Sequence, residues 1–355
     1  MSNQPEARPQ AAAQDGQQTM AVERVSQLAQ AIEQEVARVI VGQHEVVRQV
    51  LVSLLAGGHA LLEGVPGLGK TVLVKTLGQA LELKFARVQF TPDLMPADIV
   101  GTDVLTEDDS GRRGFTFRHG PVFTNLLLAD EINRATPKTQ SALLEAMQER
   151  TVTVGDATRT LPRPFFVLAT QNPVEMEGTY PLPEAQLDRF LLKIQVPFPR
   201  AEDLVQILGR TTGVDNPEAG RVASGEDIQA IQKVIREVPM AEPVVRYAVA
   251  LIMATHPEEA TSPEMVRRYV RFGSSPRGLQ ALGLTAKVRA LLSGRYNVAY
   301  EDLRAMAYPV LRHRVLLNFE GQAEGLSTDQ VIAQVLEQVQ PDAAPAGRGS
   351  GHGGR

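Results

Sequence analysis

Five short apolar runs, at residues 61–62, 85–90, 126–129, 165–169 and 190–196, punctuate the first half of the chain. Apolar runs this short, bounded by polar or turn residues, read as buried strands. Between most of them apolar positions recur three and four apart, as at 46–55 and 139–148, which reads as helix. Short apolar strands alternating with helices predict a parallel sheet with helices on both faces, over about residues 22–197. Pro197 and Pro199 then interrupt the pattern. From Arg200 onward helical periodicity dominates, at 203–210, 227–237, 244–255, 279–292, 301–307 and 328–339, and predicts a second, all-helical domain. Two hairpins are predicted inside the first domain. One pairs 102–105 with 115–117 around the turn EDDSGRRG, and the other pairs 151–154 with 158–161 around Gly155-Asp156. The expected organisation is a disordered Gln/Ala-rich tail at 1–20, an α/β core at 21–199, a helical domain at 200–340 and a disordered Pro/Gly/Ala-rich tail at 341–355. His352, among glycines in that last tail, reads as a solvated residue.

The ends of the strands carry the chemistry. After the first, residues 64–71 read Gly64-Val65-Pro66-Gly67-Leu68-Gly69-Lys70-Thr71. This is the phosphate-binding loop pattern. Its glycines let successive N–H groups approach phosphate oxygens, and the following helix presents its positive end to the same anion. Lys70 would reach the β- and γ-phosphates, and the Thr71 hydroxyl would ligate Mg²⁺. The strand LLLAD ends in the adjacent acids Asp130 and Glu131. In phosphate-loop ATPases the first acid holds the Mg²⁺ shell and the second takes a proton from the attacking water. The fourth apolar run, FFVLA, ends in Thr170-Gln171-Asn172. A parallel sheet gathers the C-terminal ends of its strands at one edge, so Asn172 is expected beside the two acids, able to orient water.

Composition narrows the class further. The 355 residues suffice for two domains with their own cores, and a hydrophobic fraction of 43% is ordinary for a globular protein. A net charge of −5 argues against a protein that coats nucleic acid. The absence of cysteine excludes disulfides, thiolate metal sites and a cysteine nucleophile. No apolar run has the length of a membrane span and the polar start carries no signal-peptide pattern, so a cytoplasmic protein is expected.

The order of these motifs resembles AAA+ ATPases. The DEINRA sequence, the Asn172-Pro173 step, the EAQLDRF segment at 184–190 and the SSPRGL segment at 274–279 are similar to the MoxR family, over roughly residues 22–335. The resemblance implies that Asp130 and Glu131 are the Walker B pair and Asn172 is sensor 1. It also implies that Arg189 is an arginine finger acting on the neighbouring subunit's γ-phosphate. Arg277 would be sensor 2, on the helical lid. Arginine suits both tasks because its planar, permanently charged fork matches phosphate oxygens. Val41 and Gly42 match the family's adenine-contacting turn. The two hairpins resemble inserts that face the pore or one surface of a ring, where Arg112, Arg113, Arg118 and His119 could meet partners. Arg134 is assigned no role. The resemblance implies a Mg²⁺-dependent ATPase forming a ring, expected to be hexameric, that remodels or matures protein clients with a von Willebrand factor A domain partner. Alternatives are a magnesium-chelatase-like motor subunit, a nucleic-acid motor or clamp-loader-like ATPase, and a nucleotide-gated scaffold without turnover.

Overall fold

The computed structural model describes residues 8–107, 113–173, 178–213 and 217–341. They form two compact units, one comprising residues up to 237 together with 291–296 and the other comprising 238–290 and residues from 297.

The first unit begins with helix α1 (Arg8–Val39), followed by α2 (His44–Leu55). The expected tail at 1–20 is thus corrected over 8–20, which are continuous with α1. Residues 1–7 and 342–355 of the two expected tails lie outside the described residues. Helix α1 buries Val22, Val25, Ala29, Ile32 and Val36, spaced three and four apart along one face. Strand β1 (Ala60–Glu63) leads through the phosphate loop into α3 (Lys70–Ala80), then β2 (Phe85–Gln89) and α4 (Pro96–Val100). An antiparallel hairpin of β3 (Gly101–Glu107) and β4 (Arg113–His119) matches the first predicted insert. Arg112, at its turn, lies outside the described residues. Next come β5 (Leu126–Asp130), a short 3-10 turn at Ile132–Arg134, α5 (Pro137–Glu149) and the second hairpin, β6 (Thr151–Val154) with β7 (Ala157–Thr160). Strand β8 (Phe166–Gln171), α6 (Glu184–Leu187), β9 (Leu192–Gln195), α7 (Ala201–Thr212) and α8 (Gly225–Glu237) complete this unit's main elements.

Strands β2, β5, β8, β1 and β9 form one five-stranded sheet in that order, and every neighbouring pair is parallel. Its central strands are buried throughout, as expected where helices cover both faces: Leu126 to Ala129 and Phe166 to Thr170 are all inaccessible or nearly so. The register sets Gln89 opposite Asp130 and Glu63 opposite Gln171, so the C-terminal ends of four strands lie level with one another.

The second unit carries α9 (Glu242–Met253), α10 (Glu264–Tyr269), most of α11 (Pro276–Leu292), α12 (Tyr300–Leu311), α13 (Phe319–Ala323) and α14 (Thr328–Gln338). Leu251, Leu282, Ala286, Leu303, Val310, Ile332 and Val335 are fully buried in it. It is not purely helical. A short antiparallel pair, β10 (Val270–Phe272) with β11 (Leu316–Leu317), had no signal in the sequence pattern because each strand is only two or three residues long.

Candidate nucleotide site

The phosphate loop and the strand ends enclose a single cleft of about 400 Å³. Gly64, Pro66, Gly67, Leu68, Gly69, Lys70 and Thr71 line one side, and Asp130, Glu131, Thr170 and Asn172 line the other. The cleft falls within the size range of ordinary ligand sites. Gly67 and Gly69 have φ of +82° and +75°, and a Cβ at either would stand in open space rather than against protein. The loop therefore presents bare backbone to the cleft, which is the surface a phosphate chain needs. Lys70 donates to the Gly64 carbonyl within the loop. Burial pushes its ammonium below the usual lysine range, while Asp130, Glu131 and Glu63 pull it back up.

The two acids are held firmly. Thr170 Oγ1 donates to one oxygen of Asp130 at 2.6 Å, and Arg87 Nη2 donates to the other at 2.6 Å. The same Thr170 hydroxyl accepts the Glu131 N–H at 2.8 Å, so one side chain at the end of β8 fixes both residues at the end of β5. Glu131 Oε2 accepts from Gln89 Nε2 at 2.7 Å and faces Arg134 Nε at 3.3 Å. Its backbone is left-handed, with φ 56° and ψ 51°, a conformation rare outside glycine, asparagine and aspartate. Asn172 is buried beside them.

Three contributors escaped the sequence reading: Arg87, Gln89 and Thr170. Thr170 was visible only as part of a polar strand end. Arg87 and Gln89 alternate along β2 and so share a face, but their meaning depends on β2 pairing with β5, which the sequence does not state. Arg134, left without a role, contacts Glu131.

Other expected residues lie outside this cleft. Val65 is in the loop but is not part of the lining. Val41 and Gly42 precede α2 and do not line it either; the next residue, Gln43, donates to the Leu68 carbonyl at 2.9 Å and ties this turn to the loop. Gly42 has φ +73°, and a Cβ there would collide with the Asp203 carboxylate at 2.3–2.6 Å. Arg189 donates to the Leu144 carbonyl at 2.9 Å and is not part of the lining. Arg277 is exposed at the start of α11, in the second unit. Arg113, Arg118 and His119 lie on β4.

The donor set fits a magnesium ion that arrives with a nucleotide. Mg²⁺ keeps several waters and binds through one or two protein oxygens plus substrate phosphates. Thr71 and Asp130 both line the cleft; Asp130 Oδ2 accepts from both Nε and Nη2 of Arg87, while Oδ1 accepts only from Thr170 and retains a lone pair. Among the described residues no group of three or more His, Cys, Asp or Glu is placed to hold a metal by itself.

Comparison with known proteins agrees with this geometry. Residues 59–192 match the model of the ATPase family associated with various cellular activities (AAA), and residues 263–335 match the AAA lid domain. The chaperone MoxR1 of Mycobacterium tuberculosis is 45% identical over 305 residues, covering 86% of this chain and 80% of that one. The protein MoxR of Methylorubrum extorquens is 35% identical over 302 residues, covering 80% and 86%. A crystal structure of a candidate ATPase from Cytophaga hutchinsonii superposes with a TM-score of 0.85 at 40% identity, covering 93% of this chain and 98% of that one. No helix among the described residues is long and apolar enough to cross a membrane.

Proposed function

From the premise that this chain belongs to the MoxR family of AAA ATPases, we propose that it hydrolyses ATP with Mg²⁺, assembles as a ring and uses the cycle to remodel or mature other proteins. The observation that carries the reading is the convergence of Lys70, Thr71, Asp130, Glu131 and Asn172 on one cleft floored by bare loop backbone. The loop N–H groups and Lys70 bind the phosphate chain, and Lys70 must leave the Gly64 carbonyl to do so. Thr71 and Asp130 would hold Mg²⁺, which supplies charge neutralisation on the phosphates. Glu131 accepts the proton of the attacking water, its carboxylate held by Gln89 and Arg134 at Oε2. Asn172 orients that water. Arg189 acts in trans on a neighbour's γ-phosphate, a role supported by its position outside its own cleft, and Arg277 serves as the lid's phosphate contact.

A hexameric ring, a von Willebrand factor A domain partner and a protein client follow from the family resemblance. The relative named as a chaperone favours protein remodelling over metal insertion or a nucleic-acid motor.

Two variants test the site. Lys70→Ala removes the cation facing the β- and γ-phosphates and is expected to abolish or greatly weaken ATP binding in a titration. Glu131→Gln keeps the shape and removes the base, so ATP still binds while turnover falls roughly a hundredfold or more. Unchanged affinity in the first, or near-normal steady-state hydrolysis in the second, overturns the assignment.

A further inference from the structure

A second cavity, of about 180 Å³, lies in the first unit at the opposite end of the same strands. Ala56 and Gly57, just before β1, and Arg163, Pro164 and Phe165, just before β8, contribute to its wall. Because β1 and β8 are parallel, these residues sit where the strands begin, whereas the phosphate loop and Asn172 sit where they end. The lining brings together four cations, Arg150, Arg163, Lys233 and Arg236, with Gln229 and Gln232, and among the described residues no carboxylate is part of it.

The cations come from three separate segments, and one of them is anchored. Arg150 caps the C-terminus of α5 in a left-handed conformation, φ 55°, and donates to the Gly57 carbonyl at 2.8 Å. Helix α8 presents Gln229, Gln232, Lys233 and Arg236 at spacings of three and four, which is one helix face. Gln232 is anchored to the Leu54 carbonyl at 2.8 Å. Burial pushes the Arg150 guanidinium down from its usual range, and Arg163 and Arg236 push it further. Such a cluster repels itself, and arginine forks match phosphate oxygens in geometry as well as charge.

We propose that this cavity is a second anion site, taking the pyrophosphate group of a compact polyvalent phosphate. The group could be free pyrophosphate or the end of a nucleotide, since both present the same oxygens to the four cations. Its ligand is distinct from the ATP bound at the loop, because the sheet separates the two sites.

Calorimetric titration of inorganic pyrophosphate into the Lys70→Ala protein tests this, since that variant lacks the loop's phosphate-facing cation. One site is expected to remain. Adding Arg163→Gln and Lys233→Gln, both exposed positions, is expected to weaken binding about tenfold or more, as the loss of two charged hydrogen-bond partners implies. The same double substitution with Lys70 intact is expected to retain ATP binding, which shows that the fold is kept. ADP binding the Lys70→Ala protein more tightly than pyrophosphate assigns the nucleotide as source; equal binding assigns free pyrophosphate. No pyrophosphate binding to the Lys70→Ala protein overturns the proposal. So does binding that survives the added substitutions, which would place the anion at the loop and implicate the loop reading instead. An oligoglutamate peptide that binds through Arg163 and Lys233 where pyrophosphate does not also overturns it, in favour of an acidic protein segment.

Discussion

His59 shows how one buried side chain stitches distant segments together. Its Nδ1 accepts the Val167 N–H at 3.0 Å, so its Nε2 carries the proton and donates to the Met147 carbonyl at 3.1 Å. Burial pushes its pKa down to about 4; the Met147 carbonyl opposes this and the nearby Arg150 charge adds to it. The unfolded chain binds this proton at the ordinary value near 6.5, so its neutral form stabilises the fold fully above that pH. Stability is lost as the pH falls from 6.5 toward 4, by about 3 kcal/mol across that window. Urea unfolding at pH 7 and pH 4.5 is expected to show this loss, and His59→Gln to reduce it; an equal loss in both proteins removes His59 as the cause. Nothing in the sequence marked His59, because its partners lie 88 and 108 residues away. The phosphate loop was legible for the opposite reason: its residues are contiguous and their spacing is itself the site.

Elements were legible in proportion to their length and burial. The five sheet strands and both hairpins lie where the apolar runs put them, within a few residues. Helix α1 was missed at its start because a Gln/Ala-rich stretch reads as disorder, although both residues favour helix. The β3–β4 hairpin depends on a close approach that the hydrophobic pattern does not record. A Cβ on Gly120 would lie 2.3 Å from the Ile99 carbonyl oxygen, which is backbone and cannot step aside. Gly120→Ala is therefore expected to push the hairpin base apart, costing about 1–3 kcal/mol. Hydrogen exchange would read this at the Val122 N–H, which donates to the Ile99 carbonyl. Unchanged protection there, with unchanged stability, refutes the steric argument.

At the scale of the whole molecule, periodicity identifies helices but not the core they join. Helices α7 and α8 were assigned to the helical domain, with a boundary at 199/200, yet the division falls after Glu237. Helix α8 buries Ile228, Ile231 and Ile235, and its Gln232 holds the end of α2. The proposed ring makes its own prediction. Arg189→Ala and Lys70→Ala subunits should each be nearly inactive, since loss of a trans arginine costs about a thousandfold or more. Mixed in one ring, the first can bind ATP while the second supplies an intact arginine, so activity is expected to return at those interfaces. Confirmed mixed rings no more active than the sum of the two variants count against trans action. A fully active, strictly monomeric Arg189→Ala protein removes that role altogether.

The left-handed backbone at Glu131 has a consequence for evolvability. A residue with a Cβ spends about 1–2 kcal/mol to sit there, and glycine does not. Glu131→Gly and Glu131→Ala lose the same carboxylate, so the difference between them weighs the backbone alone. The glycine variant is expected to be the more stable of the two by about 1 kcal/mol in chemical denaturation. Equal stabilities would show that the surroundings absorb the strain. A drift toward glycine at this position would thus relieve the backbone but give up the carboxylate's contacts to Gln89 and Arg134 as well as turnover, so the left-handed turn is kept by a side chain that the backbone alone would not choose.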